Sequence, residues 1–451
     1  MSLAAPGDRV NARLSRWLYY LLQEMRGEPV RRVTLELESS QRWPLERLLE
    51  LQWQRQQALA RHAFETVPFY RDRWRALGLT RDSLRDRAAW DRLPVLEKRD
   101  LRENAEALRS SRAPRGLKAT TSGSSGTPIA VLRSHASWAH AHANVFRGWH
   151  WHGLEVGDRY AYFWGLALDE SGRRQARLRD WTFNRERLSA FEITSERARE
   201  FYAHLMRRRP RFAFGYPSAV THFADEIAAQ RLDGRALGLR AVITTAEVLN
   251  PEQRDRLART FGCAIVDSYG CAEAGVTGFE CEQGGMHVPV ESVVVDLVPA
   301  EGGMFEVLIT DLFNFSEPVI RYRIGDLVAA PPGPCGCGRS LPLLGPIQGR
   351  AGEFLTLPDG RRINGLLPYY IFRPHAKSGE VREYQFVEFP DGRIELRVVP
   401  GETWSDAARG QIEAEVTGGL GVPVVLRTVE RIVRLGRGKH RDFVKAADLG
   451  E

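Results

Sequence analysis

The chain has little lysine, little cysteine and no long hydrophobic run. Only five of its 64 basic residues are lysines (Lys98, Lys118, Lys377, Lys439 and Lys445), and the other 59 are arginines. The arginine clusters Arg173-Arg174 and Arg207-Arg208-Arg209 are short and lie in no nucleic-acid motif, so the formal charge of +7 reads as composition and no nucleic-acid partner is expected. Scarcity makes any lysine that falls in a motif informative. Five cysteines in 451 residues, an odd number, argue against a disulfide scaffold. No apolar run reaches the roughly 18 residues that a membrane span needs. Trp17-Leu18-Tyr19-Tyr20-Leu21-Leu22 is too short for a signal-peptide core and has no small-residue cleavage site behind it. It reads as part of an amphipathic helix. The expectations are no stable membrane insertion and a cytoplasmic location. With 43% hydrophobic and 27% charged residues, the chain has the composition of ordinary globular domains, and its length allows two or three.

What stands out is a stretch of hydroxyls and glycines, Thr120-Thr121-Ser122-Gly123-Ser124-Ser125-Gly126-Thr127-Pro128. It is too polar for a core. Gly123 and Gly126 allow a tight turn whose backbone N–H groups approach an anion, and the hydroxyls around them can donate to phosphate oxygens. A flexible Ser/Gly linker is the alternative. It is not a Walker loop, which needs a Gly-Lys-Ser/Thr ending.

Hydrophobic periodicity predicts helices over residues 44–77, a broken helical stretch over 82–108 interrupted at Pro94, and strands on both sides of the Ser/Thr/Gly stretch that make it the tip of a hairpin. Residues 1–40 are weakly patterned beyond the 17–22 run. Residues 135–152 read as a helix with five histidines, a packed face rather than a metal site. Strands at 160–164, 212–216, 241–245 and 263–267 alternate with helices near 196–208 and 251–261, which predicts an α/β core with largely parallel sheet. Past Gly302 the strands read as antiparallel, at 304–310, 319–323 and 354–357. The tail holds strands at 381–389 and 394–399 and a helix near 404–416. The expected boundary lies in Gln348-Gly349-Arg350-Ala351-Gly352, giving a large domain over 1–349, with a helical N-terminal extension to about residue 80, and a small α+β domain over 350–451.

A second motif, Asp267-Ser268-Tyr269-Gly270-Cys271-Ala272-Glu273, follows a predicted strand. With the stretch at 120–128 it resembles the adenylate-forming superfamily, which includes acyl-CoA ligases. Tyr322-Arg323-Ile324-Gly325-Asp326 looks like that family's ribose-binding segment, Gly349-Arg350 like the start of its hinge, and Gly436-Arg437-Gly438-Lys439 like its C-terminal lysine motif. The resemblance is closest to the phenylacetate–CoA ligase-like branch, which also includes proteins associated with capsule polysaccharide synthesis. His62-Ala63, Thr66-Val67-Pro68-Phe69-Tyr70, Phe279-Glu280-Cys281 and Cys335-Gly336-Cys337-Gly338-Arg339 carry it.

The resemblance implies a chemistry. A carboxylate attacks the α-phosphorus of ATP, pyrophosphate leaves, and catalysis is mostly positioning and charge stabilisation. Thr121, Ser122, Gly123, Ser124, Ser125, Gly126 and Thr127 would hold the β- and γ-phosphates. Glu273 would bind Mg²⁺, a hard cation that takes oxygen ligands. Tyr269 would stack on the adenine, with Asp267 and Ser268 near its amino edge, Gly270 among the nucleotide-binding residues and Glu247 lining the nucleotide site. Asp326 would accept from the ribose hydroxyls, and Arg350 would reach the same sugar. Lys439 would neutralise the carboxylate and α-phosphate; the small domain would then rotate and admit the thiol of coenzyme A. Trp164, Phe214, Tyr216 and Ala246 are placed in the acid pocket by position. The partner is a small-molecule carboxylic acid, and the protein a monomer or homodimer. Transfer from the adenylate to an amine or hydroxyl acceptor, or nucleotide binding without catalysis, are the other readings.

Three positions depart from the family pattern. Thr127 stands where lysine is common before the proline, Ala272 replaces a threonine before the glutamate, and Gly352 replaces a hinge aspartate. Finally, Cys281 and His287, with Cys335 and Cys337 further on, have the residue types of a closed structural Zn²⁺ site, although Cys-x-Cys is tighter than the usual spacing. The alternative is three free thiols and a surface histidine.

Overall fold

The computed structural model describes residues 6–120, 130–164, 179–190, 193–249, 251–300, 303–350, 354–358, 362–364, 371–372, 374–375, 378–432 and 443–449. These fall into two compact units. One holds residues 6–120, 130–324 and 328–347; the other holds 325–327 and the described residues from 348 onward. Thr121–Thr127, Gly352 and Lys439 lie outside the described residues.

The larger unit is organised by an eight-stranded sheet. From one edge its strands are Leu343–Leu344, Met286–His287, Gly275–Glu280, Ala264–Cys271, Ala241–Thr245, Phe212–Gly215, Tyr160–Phe163 and Arg185–Leu188. The five strands from Ala264–Cys271 to Arg185–Leu188 run parallel. Those beyond Ala264–Cys271 run antiparallel. Ala241–Thr245, in the middle, is buried along nearly its whole length, as a parallel strand covered on both faces must be.

Side chains alternate between the two faces. Ala161, Phe163, Ala213, Val242 and Ile265 join a core with residues of helices Ser195–Arg208, Pro217–Ala229 and Pro251–Phe261. Tyr160, Phe212, Ala241, Ile243 and Val266 join a second core with helix His135–Trp151 and with Tyr19, Val33 and Leu37. Each large apolar side chain fully buried in these layers contributes about 1.5–3 kcal/mol. The result is a helix–sheet–helix sandwich, the α/β architecture that the alternation of elements predicts.

Residues 6–40 are largely helical, which their weak sequence pattern outside 17–22 does not announce. Helices Pro6–Met25 and Val30–Ser40 lie there, and what fixes them is far away in sequence. Arg147 donates to Leu37 O (3.1 Å) and Glu291 Oε1 (2.8 Å), and Ser40 Oγ donates to the same Glu291 oxygen (2.7 Å). The histidines of helix His135–Trp151 pack as expected: His135 meets Glu28, His150 meets Glu38, and His140 stacks on Phe313.

Several boundaries shift. The 44–77 helix divides into Leu45–Thr66 and Pro68–Ala76 at the proline. The 82–108 stretch resolves into the short pieces Ser83–Arg85, Arg87–Asp91 and Lys98–Glu103. Gly116–Thr120 and Ala130–Ser134 form the antiparallel arms of the expected hairpin, with Thr120 opposite Ala130. A second sheet pairs Val293–Pro299 with Phe305–Asp311. The strand expected over 319–323 instead runs Tyr322–Val328, because Arg321 adopts φ +50°, a left-handed conformation that interrupts the extended run.

In the second unit, strands Val381–Glu388 and Ile394–Pro400 form a hairpin flanked by the parallel strands Phe443–Lys445 and Val424–Thr428. Helix Asp406–Leu420 makes the crossover; Ser405 caps its start and Gly421, at φ +69°, its end. Its core joins Phe372, Phe386, Leu396, Val398, Ile412, Val416 and Phe443. No helix among the described residues is long and apolar enough to cross a membrane.

Candidate functional site

The sequence-predicted residues of the larger unit gather at the carboxyl ends of the parallel strands, the place where open α/β sheets bind ligands. Strand Ala264–Cys271 carries Asp267, Ser268, Tyr269 and Gly270, and then turns back into Gly275–Glu280. A Cβ on Gly270 would sit 2.4 Å from Gly275 O, so the two strands close this tightly only because position 270 has no side chain. Glu273 lies in the turn between them and is buried. Its Oε1 accepts a hydrogen bond from the Tyr322 hydroxyl at 3.0 Å. A buried carboxylate with one oxygen oriented by a hydroxyl has the hard-oxygen chemistry that Mg²⁺ takes.

Asp267 and Ser268 are tied to the neighbouring strand. Thr244 Oγ1 and the Ser268 N–H both donate to Asp267 Oδ1, at 2.9 and 3.0 Å, and Ser268 Oγ donates to Thr244 O at 3.0 Å. Behind them Glu280 accepts from the Asp267 N–H (2.7 Å) and from Arg254 Nη2 (3.0 Å). Burial, with the nearby Glu280 carboxylate adding to it, pushes the Asp267 carboxyl up to about 7. Burial raises Glu280 as well, against the pull of Arg254. Tyr269 lies in a core cluster with Leu48, Val288, Val290 and Val293, and at 8% exposure it offers a base little free surface.

Glu247 binds locally. Its two carboxylate oxygens accept from the Ser218 N–H (3.0 Å) and Ser218 Oγ (2.9 Å), in the first turn of helix Pro217–Ala229, where a negative charge is favourable. Just before it, Ala246 holds φ +68°. A left-handed alanine costs on the order of 1–3 kcal/mol and is tolerated only where the surroundings dictate it. Trp164, Phe214 and Tyr216 come together: Trp164 stacks on Tyr216 with centroids 4.3 Å apart and on Phe214 at 6.3 Å. Tyr162 extends the stack at 5.5 Å from Trp164, and Arg185 and Arg187 lie over the Tyr162 ring. Asp326 sits in strand Tyr322–Val328, and Arg350 ends strand Ile347–Arg350, its side chain outside the description.

Tyr322, Thr244, Glu280 and Tyr162 were not singled out from the sequence. Tyr322 stands inside the ribose-like motif and Glu280 beside Cys281, yet nothing in one strand's sequence says which neighbouring strand its side chain reaches.

The four metal-type residues meet. Cys281 Sγ, His287 Nε2, Cys335 Sγ and Cys337 Sγ all lie within 4.8 Å of one another. Cys281 and Cys335 are 3.6 Å apart, and Cys337 Sγ is 3.2 Å from His287 Nε2. A tetrahedron with Zn–S bonds of 2.3 Å has edges of about 3.8 Å, so the spacing fits a zinc-sized ion. His287 Nδ1 is 2.8 Å from Leu341 O. A carbonyl only accepts, so Nδ1 carries the proton and the Nε2 lone pair faces the thiols. Burial also lowers the His287 pKa, favouring the neutral ring that binds metals.

Polar side chains gathered at the carboxyl ends of parallel strands mark the ligand-binding side of an open α/β sheet. Residues 89–294 match the family model described as AMP-binding enzyme. The phenylacetate-coenzyme A ligase of Escherichia coli (strain K12) is 28% identical over 337 residues, covering 69% of this chain and 73% of that protein. The Pseudomonas putida phenylacetate-coenzyme A ligase is 27% identical over 324 residues, covering 66% and 69%. Protein CapK of Staphylococcus aureus is 22% identical over 244 residues, and the match spans about half of each chain (53%). In fold, the chain is similar to a crystal structure of 2-hydroxyisobutyryl-CoA ligase in the postadenylation state, with a TM-score of 0.62, 23% identity, and coverage of 91% of this chain and 92% of that one. Over these stretches the chain is similar to adenylate-forming, AMP-binding enzymes, with phenylacetate–CoA ligases and CapK among its relatives.

Proposed function

We propose that this protein activates a small carboxylic acid with ATP as an acyl-adenylate and passes the acyl group to coenzyme A. One observation carries the reading: Glu273, buried and held by Tyr322 in the turn that follows the family's motif strand at the carboxyl end of a parallel sheet. In this reading the hydroxyls and backbone of Thr121–Thr127 hold the outer phosphates. Glu273 holds Mg²⁺, which when bound offsets phosphate charge. The Thr244–Asp267–Ser268 cluster fixes the strand beside the base. Asp326 and Arg350 receive the ribose, and the stack of Trp164, Tyr216 and Phe214 forms one wall of the acid pocket, with Ala246 at its end. Residues 350–451 act as a mobile lid that brings Lys439 to the carboxylate for adenylation and withdraws it for thioester formation. Cys281, His287, Cys335 and Cys337 hold a structural Zn²⁺ that joins the 281–287 and 335–337 loops. The setting is cytoplasmic.

The test is pyrophosphate exchange against a panel of aromatic and aliphatic acids, followed by thioester assay with coenzyme A. Acid-dependent exchange and thioester formation are expected. Exchange without thioester assigns the acyl group to an amine or hydroxyl acceptor, and ATP binding without exchange for any acid removes the enzymatic reading.

A further inference from the structure

Arg133 is buried to 1% exposure in the strand Ala130–Ser134, the arm that follows the Ser/Thr/Gly stretch in sequence. Its guanidinium reaches the turn of Glu273. Nη1 donates to Ala272 O (3.4 Å) and Nη2 to Ala274 O (3.2 Å), the carbonyls on either side of Glu273. Nε donates to Ser137 Oγ (2.9 Å), and Nη2 also donates to Ser137 O (3.3 Å) and pairs with Asp311 Oδ2 (3.5 Å). Asp311 is itself fixed, accepting from Ser137 Oγ and from the Phe313 N–H (3.0 Å). Gly275 closes the turn at φ +86°; a Cβ there would meet Ala141 Cβ at 2.7 Å and Arg133 Nη2 at 3.2 Å.

We infer that Arg133 is a positioning residue: its planar fork locks the backbone on both sides of Glu273, setting where the carboxylate stands relative to the strand that leaves the phosphate-type stretch. Tyr322 orients the Glu273 side chain, and Arg133 orients the peptide units that carry it. Serving three carbonyls, a hydroxyl and a carboxylate together takes a fork of several fixed donors. Lysine keeps the charge beside Asp311 but is a point donor and cannot serve all of them. The inference rests on the acid-activation reading only in taking Glu273 as the magnesium ligand.

The test is calorimetric ATP binding with and without Mg²⁺, a readout independent of turnover, on wild type, Arg133→Lys, Ser137→Ala and Glu273→Gln. Wild type is expected to bind ATP more tightly with Mg²⁺. Arg133→Lys should keep the metal-free affinity within about threefold and lose most of the Mg²⁺-dependent tightening, about 10-fold or more, as residues behind a metal ligand typically do. Glu273→Gln should lose the tightening entirely, and Ser137→Ala part of it. A folded Arg133→Lys with wild-type tightening overturns the inference. So does an equal loss of metal-free and metal-bound affinity, which marks a general structural role, and so does a wild type whose ATP affinity ignores Mg²⁺. Where Arg133→Lys does not fold, Ser137→Ala decides: unchanged tightening overturns the inference and a partial loss supports it. Magnesium-dependent tightening in a wild type that shows no pyrophosphate exchange removes the enzymatic reading and leaves the clamp standing.

Discussion

The Tyr322 hydroxyl donates to Glu273 Oε1 across 3.0 Å, joining two motifs that lie 49 residues apart in sequence. Both side chains are buried, so the bond acts in a setting where water competes poorly.

Tyr322→Phe removes that bond and keeps the ring. A hydrogen bond to a charged group contributes about 1.5–3 kcal/mol. Pyrophosphate exchange at saturating ATP should fall about 10- to 100-fold, and the thermal midpoint should drop as well, since the buried carboxylate loses a partner. Steady-state exchange and a thermal scan check both halves, and an exchange rate equal to wild type rejects the role given to Tyr322.

Asp267 makes stability depend on pH. Its carboxyl is pushed from 3.8 up to about 7 by burial, so the folded state binds a proton that the unfolded chain has released between those values. Stability is greatest below about pH 4 as far as this group is concerned, and its contribution falls as pH rises from about 4 to 7. Asp267→Asn should flatten that part of the profile and raise the thermal midpoint at pH 8 relative to wild type. Thermal scans across pH are the measurement.

His375 has the opposite sign. Burial works against its charge, but Glu380, 2.6 Å from Nδ1, and Glu415, 3.0 Å from Nε2, outweigh it and raise the imidazole above its usual 6.5. The charged clamp stabilises fully below pH 6.5, and its contribution is lost as pH rises through the raised value. His375→Gln should therefore destabilise the protein more at pH 6 than at pH 9. Hydrogen exchange in residues 381–428 at the two pH values reads this locally.

Zinc removal should loosen the 281–287 and 335–337 loops. Elemental analysis of unchelated protein is expected to give close to one zinc per chain, as a closed structural site implies. Strong chelation or Cys281→Ser should lower the thermal midpoint, and metal below about 0.2 per chain rejects the site.

Lys439→Ala should cut adenylation by orders of magnitude and leave ATP affinity nearly unchanged. Exchange kinetics set beside calorimetric ATP binding make the comparison, and wild-type exchange rejects the role given to the lysine.

Much of the architecture is legible in sequence because its signals are local. The apolar run Ala241-Val242-Ile243-Thr244-Thr245 is a buried strand, as read, and helix Pro251–Phe261 starts at its proline. Trp164, Phe214 and Tyr216 lie at equivalent strand ends, which repeating strand–helix units predict. What escaped reading depends on partners distant in the chain. Helix Val30–Ser40 shows a weak pattern because part of its anchoring is polar, through Leu37 O and Ser40 to Arg147 and Glu291. The resemblance puts Glu247 at the nucleotide site, but nothing local says that its carboxylate meets Ser218 at a helix start 29 residues away. Arg321 hid the true start of strand Tyr322–Val328, since a left-handed arginine has no sequence signature.

The buried bonds of the larger unit also separate homology from folding. The family match spans residues 89–294, but the partners of that stretch lie on both sides of it. Arg147 reaches back to Leu37, Arg133 reaches forward to Asp311, and Glu273 depends on Tyr322. Cut at residues 89 and 294, the fragment would keep the recognisable motif and leave Arg133 as a buried cation without its counter-ion. The stretch that the family model matches is smaller than the set of residues its buried bonds tie together, and a minimal fragment has to be sought outside those borders.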